Sequence, residues 1–145
     1  GGRVFVGTQI DWLEVVDTVT NTVTHVDSNA GQLTGIAFNA LGTRAYISNA
    51  SNQKVLVLNT NTFALIDTIS VGFAPAGLAI SPDGSRLYVV NGWDHTVSEV
   101  RTSTNTVIKT IDVGFYPHEV VISPDGTRAY VTSGGTDEVV VLQLV

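Results

Sequence analysis

Ser81-Pro82-Asp83-Gly84-Ser85-Arg86-Leu87-Tyr88-Val89-Val90 returns 42 residues later as Ser123-Pro124-Asp125-Gly126-Thr127-Arg128-Ala129-Tyr130-Val131-Thr132. A weaker copy, Asn39-Ala40-Leu41-Gly42-Thr43-Arg44-Ala45-Tyr46-Ile47-Ser48, lies 42 residues upstream of the first. A second anchor keeps the same offset: Thr68-Ile69-Ser70-Val71-Gly72-Phe73-Ala74-Pro75 matches Thr110-Ile111-Asp112-Val113-Gly114-Phe115-Tyr116-Pro117. Thr20-Asn21-Thr22-Val23 matches Thr104-Asn105-Thr106-Val107 at twice the period. Independent anchors sharing one period mark a repeat architecture.

Within a period the texture is all β. Short runs rich in Val, Ile, Leu, Tyr and Thr at 76–80, 86–90, 96–100 and 106–113 alternate with Asp-Gly, Asn-Gly and Ser-Thr-Asn turns. Asp-Gly tolerates positive φ and suits a tight hairpin. Four strands in 42 residues match the blade of a β-propeller. The strands are more uniformly apolar than a one-sided sheet needs, as expected of blades covered on both faces. A parallel β-helix repeats over a shorter period, and an immunoglobulin-type sandwich has no fixed offset. The spacing predicts an all-β chain of antiparallel four-stranded blades, about three and a half of them; twice that number makes seven, and part of a seven-bladed propeller is the expectation. With strands named a to d from the centre outward, blade 1 covers 1–30 (strands b to d) and blade 2 covers 31–72. Blade 3 covers 73–114, and blade 4 covers 115–145 (strands a to c).

Composition bounds the function. The 145 residues are 43% hydrophobic with mean hydropathy +0.25, enough apolar material for a packed core. Seven Lys and Arg against thirteen Asp and Glu give a net charge of −6, which argues against nucleic acid or an anionic membrane as partner. No apolar run approaches the roughly 18–20 residues of a membrane-spanning helix. There is no Cys, which excludes disulfides, thiolate nucleophiles, Cys-zinc sites and iron–sulfur clusters. There is no Met, and the expectation is a mature product or a piece of a longer polypeptide.

Ser123 to Thr132, Asn105-Thr106-Val107 and Val113-Gly114-Phe115-Tyr116-Pro117-His118 resemble the YVTN-type β-propeller repeat. That repeat occurs in archaeal and bacterial surface-layer and other exported proteins. The resemblance extends over essentially the whole chain. It implies the fold and an extracellular or cell-surface setting; for function it is weak, because the shared residues build the blade.

Two complete blades cannot close a propeller, so the open blade faces call for further blades of the same polypeptide or for other copies of the chain. The terminal segments Val4–Val6 and Val139–Val145 would be the contact surfaces, as a homo-oligomer, ring or filament.

The candidate site residues are those that break the repeat. Trp93-Asp94-His95 occupies a b–c loop where the neighbouring blades carry Ser51-Asn52-Gln53 and Gly135-Thr136-Asp137. An indole with a carboxylate and an imidazole suits a glycan or a partner protein, and equally a tryptophan covering a blade edge. Trp12 with Asp11 holds a similar place in blade 1. Tyr116, His118 and Glu119 lie around Pro117, just before an innermost strand, where Ala74, Ala76 and Gly77 stand one period earlier. Such a loop opens toward the channel, and a His there suits acid–base or metal chemistry, or none. His25 reads as a surface residue of an outer strand. Asn49-Ala50-Ser51 is a glycosylation acceptor sequence in a b–c loop, where exposure is expected. The Asp-Gly turns could offer oxygen to a cation, but one carboxylate each falls short of a calcium loop. Arg3, Arg44, Arg86 and Arg128 form a column that is either an anion site or a repeated structural pairing.

No nucleophile elbow, P-loop or His-Glu-x-x-His is present, and no cofactor or metal is expected. The leading expectation is a non-enzymatic extracellular or cell-surface scaffold whose loops bind a cell-surface partner. The alternatives are a piece of a periplasmic propeller enzyme (lactonase-like, quinoprotein-associated or haem d1-type) and a self-assembling half-propeller.

Overall fold

The computed structural model describes residues 2–9, 12–27 and 31–144. Among them every regular element is a β-strand, fourteen in all. The first sheet contains β1 (Arg3–Gly7), β2 (Trp12–Asp17) and β3 (Thr22–Asp27). The second contains β4 (Leu33–Phe38), β5 (Arg44–Asn49), β6 (Lys54–Asn59) and β7 (Leu65–Ser70). The third contains β8 (Pro75–Ile80), β9 (Arg86–Asn91), β10 (Thr96–Arg101) and β11 (Thr106–Asp112). The fourth contains β12 (Pro117–Ile122), β13 (Arg128–Ser133) and β14 (Glu138–Gln143). Every pairing is antiparallel between consecutive strands, as short hairpins dictate. These are the sheets of propeller blades. Asp11 and Val145 lie outside the described residues.

Successive sheets are joined by three apolar cores. Strand geometry sends alternate side chains to opposite faces, so the middle strands of the second and third sheets serve two cores at once. Ala45 and Ile47 of β5 pack toward Leu13 and Val15 of the first sheet, while Tyr46 packs toward Leu87 and Val89 of the third. Tyr88 and Val90 of β9 pack onward against Val120, Ala129 and Val131 of the fourth. The repeat therefore reads as columns. Val55, Val97 and Val139 lie one period apart; the first two are 0% exposed within successive cores, and the third is 58% exposed on the outward face of the last sheet. Val4, Val6 and Val23 are similarly exposed on the first sheet. In β1 the register is one residue short, so Phe5, 41 residues before Tyr46, packs against the first core.

The innermost strands β4, β8 and β12 begin earlier than the apolar pattern suggests, β8 at Pro75 where the run starts at Ala76. Their pairing slips between Leu33 and Ile36, Pro75 and Leu78, and Pro117 and Val120. That bulge breaks the period-2 pattern at the strand start and hides it from a sequence reading. It also corrects the placement of His118 and Glu119: they lie within β12, at its bulge, and not in a loop before it.

These bulges bring neighbouring innermost strands backbone to backbone. A Cβ on Gly35 would lie 2.5 Å from the Ala76 carbonyl oxygen. One on Gly77 would lie 2.7 Å from the His118 carbonyl oxygen and 2.8 Å from the Glu119 Cα. Backbone on the far side cannot swing away as a side chain would. Replacing glycine by alanine gains about 0.4–1 kcal/mol by restricting the unfolded chain. Overpacking of this kind costs about 1–3 kcal/mol, so the clash wins. Gly77→Ala is expected to lower the urea midpoint, whereas an alanine on a glycine with open surroundings and negative φ would raise it; an unchanged or raised midpoint for Gly77→Ala would show the strands are not this close.

Candidate functional site

The turn and loop backbone is fixed by the same period. Non-glycine residues with positive φ fall in columns: Asn21, Phe63 and Asn105; Gln53, His95 and Asp137; Ala74 and Tyr116. A left-handed residue other than glycine costs roughly 1–2 kcal/mol, so something must hold it. At Ala74 and Tyr116 the holder is the next b–c loop. Gly92 N–H donates to the Ala74 carbonyl at 3.0 Å, and Gly134 N–H to the Tyr116 carbonyl at 2.9 Å. Ala50 N–H donates to the Gln32 carbonyl at 2.9 Å in the same place one blade earlier. Each b–c loop is thus clamped onto the segment leading into its own innermost strand.

Side chains reinforce the clamp. Asp94 Oδ2 accepts the Phe73 N–H at 2.7 Å, and Asn91 Oδ1 accepts the Gly72 N–H at 3.1 Å. His95 Nδ1 accepts the Tyr116 N–H at 3.1 Å, which places the neutral ring's proton on Nε2. The His95 ring also meets Phe115 and Tyr116 edge-on, each at 5.1 Å between centroids. Asp94 and His95 therefore position the loops on either side of Trp93.

The clamped segments enclose a cleft of about 650 Å³ at the ends of β4, β8 and β12. Trp93, Tyr116 and His118 line it, together with Gln32, Thr34, Ser51, Gln53 and Phe73. Asp94, His95 and Glu119 do not. Glu119 N–H donates to Thr132 Oγ1 at 3.1 Å, and its carboxylate lies against Gly77, so His118 and Glu119 do not share one site. The Thr34 hydroxyl donates to the Pro75 carbonyl at 2.7 Å and Ser51 Oγ accepts the Gln32 N–H at 3.0 Å. The lining contains no Asp, Glu, Lys or Arg.

Gln32, Thr34, Ser51 and Phe73 escaped the sequence reading, though a signal existed. Gln32, Thr34 and Ser51 stand in the columns Gln32/Ala74/Tyr116, Thr34/Ala76/His118 and Ser51/Trp93/Gly135, which vary from blade to blade, whereas Phe73 recurs as Phe115. Core columns such as Tyr46/Tyr88/Tyr130 do not.

Several other expectations meet the structure differently. Asn49 is the last residue of β5 and is 1% exposed, with its Oδ1 accepting the Asn52 N–H. It occupies the column of Asn91, which also ties a b–c loop, so the expected exposure of the glycosylation sequence is not found. His25 is an exception, exposed on β3 as expected of a surface residue, 3.5 Å from Glu14 and beside the Trp12 ring. The arginine column has no shared partner: Arg86 pairs with Glu99 at 3.1 Å, whereas Arg3 donates to the Thr60 carbonyl and lies over Phe63. Glu99 is another departure, with Val57 and Val141 in its column. Burial, and then Glu99, pushes the Tyr88 hydroxyl up to about 12.

No family model matches the chain, and no curated protein matches it. Its backbone is similar to solved structures. Hydrazine synthase of Kuenenia stuttgartiensis aligns with a TM-score of 0.75 and 33% identity, over 83% of this chain and 35% of that one. A functionally unknown protein from Desulfotomaculum acetoxidans aligns with a TM-score of 0.75 and 19% identity, over 92% of this chain and 44% of that one. The chain thus spans less than half the length of either protein.

The Asp-Gly turns use their carboxylates internally. Asp83 accepts from the Ser81 hydroxyl at 2.5 Å, the Ser85 hydroxyl at 2.7 Å and the Ser85 N–H at 3.0 Å. Asp125 accepts from the Ser123 hydroxyl at 2.6 Å and the Thr127 N–H at 3.0 Å. These donors favour the charged form and hold both carboxyls at about 2, below their ordinary 3.8. Because the folded value lies below the unfolded one, the contribution is complete above about pH 4 and is lost as pH falls through about 2. Asp83→Asn with Asp125→Asn is expected to flatten the fall in melting temperature between those two pH values; a slope identical to the parent's would show that the turns do not bind protons this way.

Proposed function

We propose that this chain contributes blades to a non-enzymatic, extracellular or cell-surface β-propeller of YVTN type, a scaffold that binds a cell-surface partner in the cleft lined by Trp93, Tyr116 and His118. The observation that carries the proposal is a division of labour within the repeat. Columns that recur bury themselves between sheets. Three columns that vary, those of Trp93, Tyr116 and His118, meet in one cleft, where exposed rings and hydrogen-bonding side chains face solvent. Rigid sheets with individual loops are a common way to carry specificity. The resemblance of the Ser-Pro-Asp-Gly repeats to exported propellers supports the location. In this reading the outward faces of the first and last sheets, with Val4, Val6, Val139 and Val141, are covered by further blades.

A second reading, part of a propeller enzyme, draws on the similarity to hydrazine synthase, an enzyme by name. It would give His118 a chemical role and would place the remaining catalytic groups on blades beyond these. A visible chromophore or a metal retained through dialysis would favour it.

The test is retention on envelope fragments of the organism that makes the protein. Saturable binding is expected, weakened about tenfold or more in the double variant Trp93→Ala with His118→Ala while circular dichroism is unchanged. Absence of binding by the parent, or equal binding by the variant, would contradict the reading.

A further inference from the structure

The cleft is uniform in chemical character. Trp93, Tyr116 and Phe73 present rings that are 73%, 54% and 51% exposed. Gln32, Ser51 and His118 lie among them. The rings share the cleft with these polar groups. The volume of about 650 Å³ lies in the range of small-molecule sites, roughly 300–1,000 Å³.

We propose, resting on the assignment of this cleft as the partner site, that its occupant is a neutral oligosaccharide. One pyranose ring stacks on the Trp93 indole, and its hydroxyls bond to the Gln32 amide and the His118 ring. A pyranose combines an apolar C–H face with an edge of hydroxyls that both donate and accept. An aromatic plane takes the first by burial and dispersion. A side-chain amide serves the second, since it carries donor and acceptor together. An anionic ligand would need a cation, and neither Lys nor Arg lines the cleft. A cationic ligand would find no carboxylate in the lining, and the nearby Asp94 already accepts the Phe73 N–H.

The platform is held in place before any ligand arrives. Trp93 N–H donates to the Phe73 carbonyl at 3.4 Å, Gly92 to Ala74, and Tyr116 is tied to His95. A loop whose backbone is already ordered costs less to order on binding.

The chain has two tryptophans, which supply their own control. Trp12 lies on the first sheet beside His25, away from the cleft. In nitrogen–proton correlation spectra, titration with chitotetraose or cellotetraose is expected to move the Trp93 indole signal to saturation and leave that of Trp12 in place. Tetragalacturonate, of equal length but acidic, is expected to move neither. Trp93→Ala and, separately, Gln32→Ala, both at exposed positions, are expected to weaken binding about tenfold with an unchanged melting temperature. The proposal is overturned if neither neutral tetrasaccharide moves the Trp93 signal, if tetragalacturonate moves it equally, or if Trp93→Ala binds as the parent does. Envelope binding that persists without a sugar response would refute the sugar and leave the scaffold reading with a protein occupant. Loss of both would remove the scaffold reading itself.

Discussion

Interdigitation of alternate side chains between consecutive sheets is the constraint on which everything else depends. A single four-stranded sheet of this composition has two apolar faces and cannot hide either. β5 shows the solution: Ala45 and Ile47 go to one neighbour and Tyr46 to the other. β9 repeats it with Leu87 and Val89 against Tyr88 and Val90. Full burial of a Val or Leu side chain is worth about 1.5–3 kcal/mol, so each core outweighs any single turn or ion pair. The same logic makes the sheets rigid bodies, which gives loops at their ends a fixed geometry.

Near the axis the constraint changes from apolar volume to backbone clearance. Gly35 and Gly77 leave room for the next strand, and the third residue of that column is Glu119. The bulges that create this contact also turn the strand starts toward the cleft, so the device that packs the centre places His118 on the cleft wall. Strain at Ala74 and Tyr116 is held by amides of the following loop. Packing and site geometry thus share residues, and Asp94 and His95 belong to the packing side.

Much of this was legible in the sequence, and the exceptions have physical causes. The recurrence of Ser81-Pro82-Asp83-Gly84 fixed hairpins, strand order and the two-faced character of β5 and β9. The starts of β4, β8 and β12 were not legible, because a bulge erases alternation at Pro75 and Pro117. Asn49 was misjudged as exposed because a tripeptide pattern says nothing of the column it stands in; Asn91 in that column is wholly buried. Trp93, Tyr116 and His118 could be singled out as departures from the repeat. Their partners Gln32 and Ser51 could not be joined to them, since residues 42 to 86 positions apart meet only once the sheets are stacked.

If inter-sheet burial is the governing term, local stability must follow the number of covered faces. Native-state hydrogen exchange of the 145-residue chain tests this directly. The slowest amides are expected in β5, β6, β9 and β10, whose strands feed cores on both sides, and the fastest strand amides in β1 and β14, which carry Val4, Val6, Val139 and Val141 outward. Equal protection in all four sheets, or greatest protection in β14, would contradict the account.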